Sequence, residues 1–508
     1  MSAFAHQAGA ASVQSAPDLP KRRGGALSLP AIVVALMAMN AFRFAFGFTF
    51  ELMPQEAYYF LYSQHLSLSY FDHPPAIAYF IRLFTSLLGR SELSLRFTAF
   101  ALTAATQLVW IRFAAQLLPL RIWSRAALLF ASTGFITVAS LISTPDVPLL
   151  LFWTLSLQQL YRAIFLGRRW SWLVGGLMLG LAFESKYTGA FLQVGLLLFL
   201  ALSRAHRPLL KTPWPYLCLG VAHAAILPVY IWNARNGFAS FLFQSVGRAQ
   251  ALGEPRPRYL LGLLVTQAAL LMPPLLGAMA RALGRSRFLL LKTFRPIRQK
   301  PLFLACFFVP MAASFVALSL FTLVKPNWLM PCYLSGILWV APFLRRWWKW
   351  NLAFAAVFHV AAAIELIFYV VPIQSDDTWF GWKELAGQVS RISSDHPGAF
   401  VFSTDGYKTS AELAFYLGGQ VYGPNVVGQP GYQFEYLGDD LSLLRGRNAL
   451  YVHSAPRDFS PAHSGQPAEL AAPYFQSVEE LDPVLIFNKD RVARKFFIYL
   501  CRHYHGLP

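Results

Sequence analysis

Charge is what this chain has least of. Only 13% of its 508 residues are Asp, Glu, Lys or Arg, while 56% are hydrophobic. That balance is too apolar for one soluble core and suits a chain that uses lipid as solvent. Acids are the scarcer sign, 24 against 43 Lys and Arg. The net charge of +19 would suit nucleic acid if the cations shared one soluble face. They fall instead in short loops between apolar runs, where membrane orientation places them, so no nucleic-acid partner is expected. Cysteine is nearly missing, and Cys218, Cys306, Cys332 and Cys501 show no ligand or redox spacing, so they read as packing residues. There is no internal repeat, nor the paired Gly/Pro-broken runs of many inverted-repeat transporters. A removable signal is missing too. Residues 1–25 end in Lys21-Arg22-Arg23, and the next apolar run is too long and lacks a clear cleavage site, which predicts a cytoplasmic tail and a retained first helix.

What is there is a succession of apolar runs. They begin near Leu27, Leu93, Ala126, Val147, Trp172, Ala190, Tyr216, Tyr259, Pro301, Trp328 and Leu352, and with ~20 apolar residues needed per crossing they predict about eleven transmembrane helices. Basic clusters mark every second loop: Lys21 to Arg23, Arg121 with Arg125, Arg168-Arg169, then Arg204, Arg207 and Lys211, the run from Arg281 to Lys300, and Arg345, Arg346 with Lys349. The positive-inside rule then puts the N-terminus in the cytoplasm and the alternate loops outside. The expected organisation is a polytopic α-helical module over residues 26–374 and an outer C-terminal α/β domain over 375–508. Strand-like runs at 399–403, 449–453 and 483–487 and a helix over 409–417 mark that domain. In the first outer loop, about residues 51–91, an aromatic segment and the short run Ala76 to Leu88 fit interfacial helices better than spans.

Polar groups that could carry chemistry collect on the outer side. Glu56 and Asp72 end an aromatic stretch with Tyr58 and Tyr59; solvated loop acids are the plain alternative to a site. Asp146 opens a run, where a helix N-terminus favours an acid. Lys186 and Tyr187 follow Glu184 in an outer turn, where a lysine is disfavoured unless it has a partner. That partner is either a phosphate or Glu184 itself. Arg248 and Lys325, beside Trp328, are further outer cations, and lipid headgroup contacts are the alternative role for each. Acids and cations together on one face suit a lipid-linked phosphate.

Five motifs stand in order: Gln55-Glu56-Ala57-Tyr58-Tyr59, Tyr70-Phe71-Asp72-His73-Pro74-Pro75, Thr144-Pro145-Asp146-Val147-Pro148, Ser185-Lys186-Tyr187-Thr188 and Pro326-Asn327-Trp328. In this order they resemble the bacterial GT-C glycosyltransferases. The likeness is to the dolichyl-phosphate-mannose protein mannosyltransferase-like family that includes the lipid A aminoarabinose transferases. The resemblance implies transfer of a sugar, with inversion, from a polyprenyl-phosphate carrier to a lipid, glycan or protein acceptor on the periplasmic face of a bacterial inner membrane. It implies catalytic roles for Glu56, Asp72 and Asp146. Substrate-binding roles fall to Gln55, Tyr58, Tyr59, His73, Lys186, Tyr187, Arg248, Lys325 and Trp328, with Lys186 on the carrier phosphate. It also implies one divalent metal ion near Asp72, although the histidine completing that site in the aminoarabinose transferases has no counterpart between Phe241 and Arg248. The family commonly has an aspartate where this chain has Gln55. An amide cannot take a proton, so Glu56 or Asp146 supplies the base, or the acceptor is already an anion such as a phosphate. A transporter of lipid-linked sugars and a non-catalytic relative are the other readings open to the sequence.

Overall fold

The computed structural model describes residues 29–250, 252–291, 299–344, 347–463 and 466–507. The N-terminal tail with its basic cluster, and Lys292, Arg295, Arg298, Arg345 and Arg346, lie outside the described residues. Helices occupy all the apolar runs. Four of these are long and apolar enough to cross a membrane: Leu29–Phe46, Glu92–Leu117, Gln299–Leu318 and Trp348–Phe368. Counting each bent pair as one span raises the number to seven. Eleven crossings are therefore not established by length and composition.

The bends correct the expectation of unbroken helices. Leu120–Ala131 meets Gly134–Leu141 at 55°, Trp214–Ala225 meets Leu227–Arg235 at 46°, and Pro257–Leu271 turns by 117° into the helix that begins at Pro273. Proline in the first turn of a following helix carries no N–H for the preceding one, so continuity is lost. Pro228 and Pro273 act this way, and Met272 between the last pair sits at φ +69°. At the first bend a Cβ on Gly134 would stand 2.7 Å from the Phe358 ring.

The first loop on the tail-bearing face folds into two short helices, Pro54–Gln64 and Ala76–Leu88. The second buries Ala76, Ile77, Ala78 and Ile81 and exposes Leu83, Leu87 and Leu88, a one-sided apolar pattern that suits an interface. Beyond the last long helix the chain forms a sheet of six strands. Val421–Tyr422, Phe400–Ser403 and Ala449–Ser454 run parallel; Arg491–Tyr504 lies antiparallel to the last of these and also pairs with Phe475–Glu480 and Val484–Asn488. Trp382–Asp395 and Lys408–Leu417 cover one face of this sheet, burying Trp382, Leu385, Val389 and Leu413 against Leu450, Val452 and Ile498. The long last strand and the helix from Trp382 are absent from the sequence reading. In the strand, burial on both faces leaves no alternation to see, whereas the helix has a one-sided apolar pattern that is legible in the sequence.

The tail and the first loop share one apolar core, in which Ala411, Phe415 and Phe434 pack among Leu52, Tyr58, Phe60 and Ile77. Polar contacts ring it. Glu51 Oε2 accepts the backbone N–H groups of Trp382 at 2.7 Å and Lys383 at 3.1 Å, capping that helix. Lys383 pairs with Glu92 at 3.0 Å, and the Tyr416 hydroxyl donates to Glu92 at 2.5 Å. These contacts put the tail and the first loop on the same side of the bundle. Phe415→Ala is expected to cost roughly 3–5 kcal/mol, the range for truncating a buried phenylalanine. The check is release of the tail under limited proteolysis at a lower temperature than in the wild type.

Candidate active site

The first short helix presents Gln55, Tyr58, Tyr59 and Tyr62 three and four residues apart, and so on one side. Met53 precedes Pro54, which needs no helical N–H partner at this position. Glu56, in the first turn, is fully buried. One of its carboxylate oxygens accepts the Met53 N–H and the other the Ser143 N–H, both at 3.2 Å. Glu56 thereby ties the first loop to the turn that leads into Asp146. Burial raises its pKa, with the nearby Arg96 charge working against that rise.

Asp146 is the first residue of the Asp146–Phe165 helix. Lys186, just past the end of the Trp170–Ser185 helix, reaches Asp146 Oδ1 with its Nζ at 2.8 Å. Asn327 donates its amide to the other oxygen at 2.6 Å. Three sequence motifs thus meet at one buried carboxylate. The ion pair between Glu184 and Lys186 that the sequence left open is not formed; Lys186 belongs to Asp146, and Glu184 Oε1 has no partner.

Asp72 is buried and accepts a hydrogen bond from the Tyr62 hydroxyl. Burial pushes its carboxyl up to about 6, an effect opposed by Tyr62 and by the Arg248 charge. The Asp72 carbonyl accepts the Gln244 amide at 2.6 Å, while Gln244 Oε1 accepts Arg248 Nε at 3.0 Å. Arg248 also lies over the Phe243 and Trp328 rings, 5.4 and 5.2 Å from their centroids. His73 stands edge-on to Tyr59 at 5.8 Å, and its buried Nδ1 has no partner. Burial first, then the charges of Lys186, Arg248 and Lys325, hold its pKa well below the ordinary value. His73 is therefore neutral at pH 7, and the positive charge at this place belongs to these three neighbours. Tyr187 and Ser240 share a hydrogen bond of 2.5 Å at the same face.

The residues around Asp72 do not fit a divalent metal. Among the described residues no three His, Cys, Asp or Glu side chains come together as a ligand set. One Asp72 oxygen is taken by Tyr62, the nearby Asp146 is already paired with Lys186, and Lys186, Arg248 and Lys325 bring positive charge, which repels a metal ion.

Several participants carried no sequence signal of their own. Gln433, from the tail, donates its N–H to the Tyr58 hydroxyl at 3.1 Å and accepts the Phe71 N–H at 2.8 Å. Tyr436 stacks on Phe71 at 5.4 Å and leans on Trp232; Tyr407 stacks on Tyr58 at 4.2 Å. Gln55 donates to Asp377 at 2.9 Å, and Asp377 pairs with Lys408 at 3.4 Å. The aromatic cluster Tyr432-Gln433-Phe434-Glu435-Tyr436 between Gly431 and Gly438 was the one visible hint. The expected substrate-binding groups Tyr58, Tyr59, His73, Lys186 and Arg248 do converge, with Lys325 and Trp328 beside them. Gln55 faces the tail, and Glu56 lies behind the cluster.

Comparison with known proteins fits this geometry. The dolichyl-phosphate-mannose-protein mannosyltransferase family matches residues 72–232. ArnT from Cupriavidus metallidurans in the apo state superposes with a TM-score of 0.61 at 15% identity, covering 92% of this chain and 97% of that one. This chain shares the fold of ArnT. ArnT bound to undecaprenyl phosphate gives a TM-score of 0.60 at 16% identity, over 93% of this chain and 98% of that one. In sequence, the lipid A galacturonosyltransferase RgtD of Rhizobium johnstonii is 28% identical over 192 residues, or 37% of this chain. The match spans 39% of that relative's length. The matched family and this relative are glycosyltransferases, and the chain is similar to both and, in fold, to ArnT.

Within this ArnT-like fold the Lys186–Asp146 pair is buried, so removing one partner strands a charge. Lys186→Met is expected to destabilise by roughly 3–5 kcal/mol. Adding Asp146→Asn should recover much of that loss, as read from a double-mutant cycle in chemical denaturation.

Proposed function

We propose that the protein transfers a sugar from a polyprenyl-phosphate carrier to an anionic lipid acceptor, on the periplasmic face of a bacterial inner membrane. The observation that carries this reading is the gathering of Lys186, Arg248 and Lys325 around a neutral His73, beside the buried Asp72. As the bond between the anomeric carbon and the carrier phosphate oxygen breaks, negative charge develops on the phosphate. Cations placed there, the buried Lys186 with the exposed Arg248 and Lys325 beside it, stabilise that charge more than they stabilise the ground state. The unpartnered His73 Nδ1 is free to bond the donor. Undecaprenyl phosphate is the carrier named for one ArnT structure, which supports a lipid-phosphate donor here. A sugar acceptor attacking from the opposite side would invert the anomeric centre.

Geometry also bears on the missing base. Both oxygens of Glu56 are held by backbone N–H groups, and both oxygens of Asp146 by Lys186 and Asn327. These bonds favour the ionised form of each carboxylate and hold it in a structural role, which weakens both as bases even though a second lone pair remains on each oxygen. An acceptor that is already an anion needs no base. A phosphate oxygen on a lipid head group, as lipid A would present, attacks as it stands, and the named activity of RgtD on lipid A supports that class. Asp377, held by Gln55, is the carboxylate from the tail that would serve if the acceptor were a neutral hydroxyl.

Purified protein given carrier lipid with a radiolabelled sugar, together with lipid A, should move label to the lipid A. Asp72→Ala and Lys186→Ala should abolish transfer, and label transfer untouched by both would overturn the site. Asp377→Asn should leave the rate within a few-fold. A loss of ~10²–10⁴, the range for a general base, would instead make Asp377 that base and the acceptor a hydroxyl.

Transfer should also fall as the pH drops through about 6, where Asp72 takes up its proton. The sign follows from burial. The folded state holds this proton more tightly than the unfolded chain, so ionising Asp72 costs stability as pH rises from the ordinary 3.8 through about 6. Activity runs the other way, because the ionised carboxylate offsets the positive charge that develops at the anomeric carbon as the bond to the phosphate breaks. Removing the Arg248 charge with Arg248→Gln should move the acid limb of the pH–rate profile upward.

A further inference from the structure

A second charged site lies away from Asp72 and Lys186. A cavity of about 240 Å³ opens between the Leu29–Phe46, Glu92–Leu117 and Gly134–Leu141 helices, walled by Arg43, Arg96, Ser91, Glu92 and Ser140. Arg43 is in the last turn of its helix and Glu92 in the first turn of the next. The cavity therefore sits at the ends of two candidate spans, on the face that carries the tail.

Both arginines are buried, 3% and 6% exposed. Arg43 donates from Nε to the Thr137 hydroxyl at 3.1 Å and from Nη2 to the Ala131 carbonyl, while Nη1 has no partner. Arg96 gives Nη1 to the Gly47 carbonyl and Nη2 to the Glu51 carbonyl, the latter at 2.7 Å, while Nε has no partner. Among the described residues neither forms an ion pair. The acid in the wall, Glu92, is already engaged by Lys383 and Tyr416. Glu56, whose charge reaches Arg96, is committed to two backbone N–H groups.

Two buried guanidinium groups with no ion pair among the described residues, Arg96 having only the charge of Glu56 at a distance and Arg43 no anion in contact, are costly beside lipid. Water could satisfy the orphan N–H groups but would leave the charges uncompensated. A phosphate supplies both acceptors and charge, and the guanidinium fork matches its oxygens. The rim of the cavity is apolar and exposed, with Phe48 at 55% and Leu93 at 39%, as expected where acyl chains lie against the protein. We propose that this cavity binds a phosphate group at headgroup depth, held by Arg43 and Arg96, with an anionic lipid of the adjoining leaflet as its source.

Native mass spectrometry and thermal unfolding of the full-length protein in detergent test this. Phosphatidylglycerol, phosphatidylcholine and inorganic phosphate are added separately. Retained phosphatidylglycerol with a raised unfolding temperature, and little effect of the other two, is the expected result. Stabilisation by inorganic phosphate equal to that by phosphatidylglycerol would keep the phosphate site but make the source free phosphate. Arg43→Gln should weaken retention about tenfold, as expected for one charge-assisted hydrogen bond. Leu93→Trp, which narrows the rim and leaves the arginines in place, should also reduce retention if Arg43→Gln fails to fold. No stabilisation by any phosphate compound, or retention unchanged in the foldable variants, overturns the site. Either failure would leave the transfer proposal standing.

Discussion

A buried lysine needs an anion, and Lys186 finds one in Asp146 at 2.8 Å. The pair is worth little as a net gain, since desolvating two charges consumes most of their attraction. Its consequence is positional. With Asn327 on the second oxygen, one carboxylate fixes the start of a long helix, the turn after another and the segment before a third. Everything that faces the carrier phosphate in the proposed reaction is hung from this point, including the placement of the Lys186 charge near His73.

A second brace lies behind it. Glu56 joins the first loop to Ser143, three residues before Asp146, so the Asp72 and Asp146 motifs cannot shift independently. The tail then closes the arrangement from above through the shared core around Phe415 and Phe434 and through Gln433. The site is therefore built from the bundle, the first loop and the tail together. Its charged parts come from the bundle and its aromatic cover from the tail.

The cations also explain the chemistry the site favours. Burial, with Lys186, Arg248 and Lys325 behind it, keeps His73 neutral, and the Tyr62 hydrogen bond with the Arg248 charge holds Asp72 below where burial alone would put it. A site with this balance is prepared for added negative charge and poorly prepared for a metal ion. Gln55 fits the same picture. It is turned to Asp377 of the tail, where it helps to hold the cover in place.

The sequence by itself determined the apolar runs, the two short helices of the first loop, an α/β tail and the clustering of acids and cations in alternate loops. Those features depend on local composition and spacing, which a linear pattern records. Tertiary structure alone decided that Lys186 pairs with Asp146 and not with its neighbour Glu184, that His73 is uncharged, and that Gln433 and Tyr436 reach the site. It also decided that helices break at Gly134, Pro228 and Pro273. Each depends on which distant segments meet and on how much water is left between them, and burial sets both the pKa values and the pairing of charges.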